Sequence, residues 1–321
     1  MADILNPAFT NEDKARQYLE AERWPDGPVC AFCGQLDTVS ALPAKGAMGA
    51  GWYHCRECRK KFTVRVGTLY ERSHIPLHKW LYATHLLCCS KKGISSHQLH
   101  RMLGVTYKTA WFMTHRIREG MKPAGKPTPM GGEGKIVEID ETYMGKRDGK
   151  PSGKSVFVNG FGWVDPPRIQ TQRKIVALVE RAGEVRSFHV EGVDTETVKD
   201  ILFRNASRAS ELMTDGAPIY LEPGCSYSAH YSVNHSEGEY VRDYAHTNTI
   251  EGYFSIFKKG MGAVYQHCGE QHLHRYLAEF DFRYSNRVAL GVDDETRTKK
   301  ALKGIVGKRL TYRRPDKTAH A

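Results

Sequence analysis

The residues able to do chemistry in this chain fall into two sets. Four cysteines stand as two pairs, Cys30-Ala-Phe-Cys33 and Cys55-Arg-Glu-Cys58, with 21 residues between them. Two short turns of this kind can bring four thiolates around one tetrahedral Zn2+. A ribbon this small has little core of its own and needs the metal to fold, so Zn2+ is expected to be structural. His54 reads as a strand residue beside a ligand. Cys88, Cys89, Cys225 and Cys268 read as buried small hydrophobic residues.

The second set is acidic. Asp140 lies near the end of the strand-like run Lys135–Glu141, Asp215 ends the run Glu211–Gly216, and Glu251 lies in the helical run Asn248–Gly260. Three carboxylates converging on one point repel one another unless cations stand between them. Two Mg2+ ions relieve that repulsion and clamp the attacking and leaving oxygens of a phosphodiester. Oxygen-only ligands favour Mg2+ or Mn2+ over zinc. Lys258, two turns beyond Glu251 on the same helix face, can hold a phosphate. Asn248 is expected to cap that helix with Glu251 three residues on, and Asn248 can itself face the site. Singly, each acid has a plainer reading: Asp215-Gly216 as a turn, Glu251 as a helix cap, Asp140 as an edge charge. Glu141 would point to the opposite strand face from Asp140, so the two are not expected to line one site.

Positioning these groups requires two kinds of scaffold. In the front part, the pattern predicts helices from Leu77 to about Leu87, from Ser95 or Ser96 to Leu103, and from Thr106 to Arg118, with a Gly104-Val105 turn before the third. A short helix, a glycine turn and a longer helix with a polar start form a helix-turn-helix arrangement, with Thr106, Tyr107, Lys108 and Thr109 presented to a major groove. Lys91, Lys92, Arg101, Lys108, Arg116 and Arg118 are expected to meet DNA phosphates. Residues 121–134 carry three prolines and four glycines and read as a linker. Strands follow at 135–141, 155–163, 174–179 and 185–190, then a helix at 195–205 and a strand at 211–216. This order predicts a mixed α/β sheet. Helical patterning from Gln271 to Tyr284 closes it, and a loosely patterned basic tail begins at Gly291.

The charge is as uneven as the motifs. Of 321 residues with a net charge of +11, Trp52 to Lys122 hold 14 Lys and Arg against 3 Asp and Glu, which equals the whole surplus. One part of the chain suits a polyanion and the rest does not. The 40% hydrophobic content excludes a disordered polycation. The opening residues do not resemble a secretory signal, and no apolar run reaches the roughly 20 residues of a membrane span, so a cytoplasmic protein with no membrane partner is expected.

Taken together, these motifs resemble the DDE transposases of bacterial insertion sequences, in the ISXO-like group. The resemblance runs from Cys30 to about Arg287. It rests on the two cysteine pairs, Glu138-Ile-Asp140-Glu-Thr-Tyr143, Thr214-Asp-Gly216, and Asn248-Thr-Ile-Glu251-Gly252 followed by Phe257-Lys258. The 35 residues between Asp215 and Glu251 match the separation familiar from that class. The resemblance implies a zinc ribbon (1–72), a helix-turn-helix domain (73–122), a linker (123–134), a ribonuclease H-like catalytic domain (135–290) and a basic tail (291–321). It implies Asp140, Asp215 and Glu251 as ligands of Mg2+ or Mn2+, with asparagine at Asn248 as the other candidate for the third position, and Lys258 as the downstream basic residue. It further implies cleavage at transposon ends followed by joining of the freed 3′-hydroxyl to target DNA. The partners are double-stranded DNA, as terminal inverted repeats and target, and a second copy of the chain, since two ends must be held together. The rival expectations are a metal-dependent nuclease without strand transfer and a non-catalytic DNA-binding regulator.

Overall fold

The computed structural model describes residues 6–45, 49–125, 127–145, 156–158, 162–164 and 172–311. The chain forms two units: residues 1–126 with 286–321, and residues 127–285.

In the first unit, α1 (Glu12–Arg23) starts at Asn11, whose side chain accepts from the Lys14 amide, with Glu12 and Asp13 in the first turn. A three-stranded antiparallel ribbon follows, β1 (Val39–Ala41), β2 (Trp52–Cys55) and β3 (Lys61–Thr63). Its small core is aromatic, with Trp24 edge-on to both Tyr53 and Phe62. Three helices come next: α2 (Leu77–Cys89), α3 (Ser96–Leu103) and α4 (Tyr107–Met121). Pro76 gives α2 no side-chain cap; Glu12 supplies it from α1, accepting from the Leu77 and His78 amides at 2.8 and 3.1 Å. Ser95 and Thr106 cap α3 and α4, and Gly104 ends α3 at φ +59°, a left-handed conformation that glycine adopts without strain. The ribbon and the helices therefore share one unit. Tyr70, from the segment assigned to the ribbon, stacks on Trp80 of α2 and hydrogen-bonds Thr84 at 2.8 Å.

The second unit begins earlier than the linker reading allows. Met130 is buried and bridges Ala206, and the Gly131 and Gly132 amides donate to Glu180 and Ser210. Its elements are β4 (Ile136–Met144), β5 (Val156–Val158), β6 (Gly162–Val164), β7 (Arg173–Glu180), β8 (Val185–Val190), α5 (Thr195–Asn205), β9 (Glu211–Thr214), the single turn α6 (Leu221–Gly224), β10 (Ala229–Ser232), β11 (Val241–Arg242), β12 (Ala245–His246), α7 (Asn248–Gly260) and α8 (Leu273–Ser285). The segment read as one strand at 155–163 is instead two short strands, β5 and β6, paired antiparallel with each other.

The five-stranded sheet runs β10-β9-β4-β7-β8. β7 is antiparallel to β4 and β8, while β9 is parallel to β4 and β10. This is the ribonuclease H-like order. Alternation along β7 serves two cores: Ile175, Ala177 and Val179 face α7 and α8, whereas Val176 and Leu178 face α5. Asp281 of α8 ties the first of these layers together, accepting from the Ser187 amide (2.9 Å), the Ser187 hydroxyl (2.7 Å) and the Tyr253 hydroxyl (2.6 Å).

Burial pushes the Asp281 carboxyl up to about 6, against those three hydrogen bonds, which lower it. The unfolded chain takes up the same proton only near pH 4. The resulting contribution to stability is full below about pH 4 and is lost as pH rises through about 6. In urea unfolding, wild type is therefore expected to gain about 3 kcal/mol on Asp281→Asn between pH 8 and pH 4. A pH-independent difference would contradict this reading.

The expected basic tail is a further correction. Asp294–Lys303 form α9, capped by Asp293, and bury Arg297, Thr298, Ala301 and Leu302 against the first unit. The Leu69 amide donates to Ile305, and the Gly307 amide to Gly67. The buried positions recur at helical spacing among lysines, so charge alone hides the pattern. Arg313 and Arg314 lie outside the described residues.

Candidate active site

Strand register builds the acidic site. β4 and β9 run parallel, with Glu138 opposite Met213. Two residues further along each chain stand Asp140, midway along β4 where its pairing with β9 has ended, and Asp215, just beyond the last residue of β9. Gly216, at φ +79°, turns the chain there, and the Asp215 carboxylate accepts from the Ala217 amide at 3.1 Å.

Carboxylate oxygens of Asp140, Glu141 and Asp215 all lie within 4.8 Å of one another. Glu141 thus joins the cluster, contrary to the expectation from strand alternation. Pairing with β9 stops at Glu138, so its longer side chain has an open edge to reach around. The Tyr220 hydroxyl donates to it there, and the Glu141 amide donates to Asp140 at 2.7 Å. Burial, then the charges of Asp215 and Glu141, push the Asp140 carboxyl up to about 8. Glu141 is also raised, by burial first. Three hard oxygen donors this close together, two of them pushed up by burial and neighbouring charge, suit a divalent cation.

Glu251 stands outside this tight group. Its carboxylate accepts from Thr247 at 3.1 Å and lies 3.5 Å from His235. Asn248, Glu251, Ser255 and Lys258 are exposed along α7, at the spacing of one helix face, while Ile250, Tyr253, Phe254 and Phe257 are buried. Thr247, not Asn248, occupies the cap position, which makes Asn248 the first helical residue.

A fully buried carboxylate, Glu138, holds this helix to the sheet. It accepts from Arg181 Nε (2.6 Å), the Thr249 hydroxyl (2.8 Å) and the Ile250 amide (2.9 Å). An anion at a helix N-terminus is favourable, and this one sits two residues before Asp140 on the same strand face. Sequence reasoning gave Glu138 no role, since its partners come from residues 43 and more positions away. Removing it as Glu138→Ala takes the carboxylate from the half-buried Arg181 and the acceptor from the Thr249 hydroxyl and Ile250 amide, and is expected to cost about 1–3 kcal/mol. A shift in urea midpoint corresponding to less than about 1 kcal/mol would show that the clamp is not structural.

At the cysteines, Cys30 and Cys58 Sγ lie 3.6 Å apart, as do Cys33 and Cys55 Sγ. A tetrahedron with Zn–S near 2.3 Å has edges of about 3.8 Å, so the four thiols fit one zinc and are too far apart for disulfides. Of the other cysteines, Cys225 is exposed and does not fill a core.

The residues expected to bind DNA divide by burial. Lys91, Lys92, Arg101, Thr106, Tyr107 and Lys108 are exposed, and Thr109 is half-buried. Arg118 is fully buried, donating to Thr114 at 3.0 Å, and is withdrawn from that role. Arg116 is half-buried, 4.9 Å from the Phe112 ring, and donates to the Leu310 carbonyl. Both lie toward the end of α4, where the helix packs into its own unit. Among the described residues, no helix is long and apolar enough to cross a membrane.

Comparison with known proteins follows the same division. Residues 131–285 match the ISXO2-like transposase domain, and residues 10–61 the transposase zinc-ribbon domain. An uncharacterised protein in the transposable element ISH50 of Halobacterium salinarum is 25% identical over 284 residues, covering 86% of this chain and 91% of that protein. Among solved structures, a simian T-cell lymphotropic virus intasome bound to the PP2A regulatory subunit B56 gamma aligns at 15% identity and TM-score 0.29, over 57% of this chain and 63% of that one. A pre-cleavage Mos1 transpososome aligns at 12% identity and TM-score 0.26, over 66% and 71%. Scores of this size leave the fold assignment to the strand order itself. The two family matches fall on the cysteine cluster and on the sheet that carries Asp140 and Asp215: the chain carries a transposase zinc ribbon followed by an ISXO2-like DDE transposase domain.

Proposed function

We propose that this protein cuts DNA at the ends of its element and joins the freed 3′-hydroxyl to a target strand. The observation that carries the reading is the convergence of Asp140, Glu141 and Asp215 just beyond the paired stretch of the adjacent parallel strands β4 and β9. Mg2+ or Mn2+ held there supplies a Lewis acid that activates the attacking oxygen and stabilises the leaving one. Asp140 and Asp215 hold the ions, with Glu251 on the facing helix as third ligand and Asn248 as the alternative one turn before it. Lys258 holds a phosphate further along the same face.

Two phosphoryl transfers follow. Water attacks the phosphorus at the element end, the 3′-oxygen leaves and takes up a proton, and a 5′-phosphate remains. The new 3′-hydroxyl then attacks a target phosphorus, loses its proton, and displaces a target 3′-oxygen. Recognition of the ends falls to the zinc-stabilised ribbon and to α3 and α4 as a helix-turn-helix, through Lys91, Lys92, Arg101, Thr106, Tyr107, Lys108 and Thr109. Two ends are held by at least two copies of the chain, on DNA in the cytoplasm.

The deciding experiment incubates purified protein with Mg2+, labelled end DNA and a target plasmid. Joined products are expected. Cleavage without joining would make the protein a nuclease, and DNA binding without Mg2+-dependent cleavage would make it a regulator.

A further inference from the structure

Four large hydrophobic side chains are exposed on β10 and the segment from it to α7: Tyr240 (59%), Val241 (52%), Tyr244 (46%) and, on β10 itself, Tyr231 (39%). They are not a disordered fringe. The Tyr231 and Tyr244 rings meet edge-on at 5.3 Å, and Tyr240 lies against the His235 ring at 5.1 Å. The hairpin carrying Val241 and Tyr244 is pinned by Arg181, which donates to the Tyr244 and His246 carbonyls at 2.9 and 2.8 Å while its Nε engages Glu138. One arginine thus fixes both the ring platform and the helix bearing Glu251. His235, beneath Tyr240, lies 3.5 Å from the Glu251 carboxylate.

The chemistry of this surface narrows its occupant. Residues 229–246 hold three acids, Glu237, Glu239 and Asp243, and a single Arg242, which is itself 3.4 Å from Glu239. Such a surface has no excess charge with which to grip a phosphate backbone. It offers ring faces and edges, which bind the uncharged faces of bases once these leave the duplex stack. Its contact with Glu251 through His235 places it beside the phosphodiester to be cut.

We propose that Tyr240 and Tyr244, supported by Tyr231, form a stacking site for one or two nucleotides unpaired from the element end beside the scissile phosphate. This rests on the proposed transposase reading and adds a substrate state to it: the end is opened locally before it is cut. The rigid platform suits that purpose, because the rings lose little freedom when a base arrives.

The test uses the full chain with Ca2+ in place of Mg2+, so that binding is read without turnover. The probes are a flush duplex of the terminal sequence flanking the gene and the same duplex with its last few nucleotides mispaired. Wild type is expected to prefer the mispaired end. Tyr240→Ala with Tyr244→Ala is expected to lose about tenfold or more on the mispaired end, with little change on the flush one, since each stacked base contributes a comparable factor. Tyr240→Phe with Tyr244→Phe keeps the ring faces and is expected to retain the preference. The flush duplex reports folding within the same experiment, and Tyr240→Ser alone serves if the double variant does not fold. Equal affinity of wild type for both probes, or equal losses on both, overturns the proposal. So does an unchanged preference accompanied by lost self-association, which assigns the rings to a second copy. Strand joining by wild type in Mg2+ is scored separately. Joining without a mispair preference removes the stacking site alone, and a tyrosine-dependent preference without joining removes the transposase reading alone.

Discussion

Asp140→Asn and Asp215→Asn are each expected to abolish cleavage and joining while end binding persists. Both acids lie just beyond the paired stretch of neighbouring parallel strands, and with Glu141 they form a group whose oxygens lie within 4.8 Å. Taking away one carboxylate removes a ligand from the cation that stabilises the transition state, a contribution of several kcal/mol. At 1.36 kcal/mol per decade, the rate falls by about 10³-fold or more. Binding persists because the residues assigned to DNA recognition lie in the other unit, and loss of a negative charge near DNA does not weaken it. The measurement is single-turnover cleavage alongside anisotropy on the same DNA. Residual cleavage within tenfold of wild type in both variants would place the chemistry elsewhere. Glu251→Gln and Asn248→Ala decide the third ligand by the same assay, the larger loss identifying it. Glu141→Gln is expected to raise the Mg2+ concentration needed for half-maximal rate, since its carboxylate stands in the same cluster.

Zinc removal carries the second large effect. The ribbon's strands have three, four and three residues, and its core is little more than Trp24, Tyr53 and Phe62. Such a core cannot stand alone, and structural zinc contributes about 10–16 kcal/mol in small domains. One zinc per chain is expected, released by a chromophoric chelator after thiol modification. Cys55→Ser is expected to lose that zinc, unfold the ribbon and weaken end binding by about tenfold or more. The sheet of the second unit should keep its secondary structure, because its five strands pair with one another. A metal-free protein with full DNA affinity would show that the ribbon does not take part in recognition.

The parts of this structure that were legible in the sequence are those whose signal is local. Cysteine spacing gave the four-thiol cluster, alternation gave β4, β7 and β8, and the turn after Thr214 marked Asp215. What escaped depended on partners distant in the chain. Strand alternation excludes Glu141 from the face of Asp140, but alternation constrains a side chain only while both strand edges are filled, and β9 stops short. Arg118 counted as a DNA contact because its charge was visible and its burial beside Thr114 was not. Glu138 gains its role from Arg181 and α7, and no spacing rule connects them. The short strands β10, β11 and β12 have two to four residues each, too few to show a period.

The return of α9 to the first unit also orders events in time. The chain completes the catalytic sheet and its helices at Ser285, then supplies Arg297, Ala301, Leu302 and Ile305 to the unit it began with. During synthesis, the strands and helices of the acidic site are all made before the first unit receives its last helix. A product that stops before Asp294 therefore carries every element of the catalytic sheet beside a first unit with an open core.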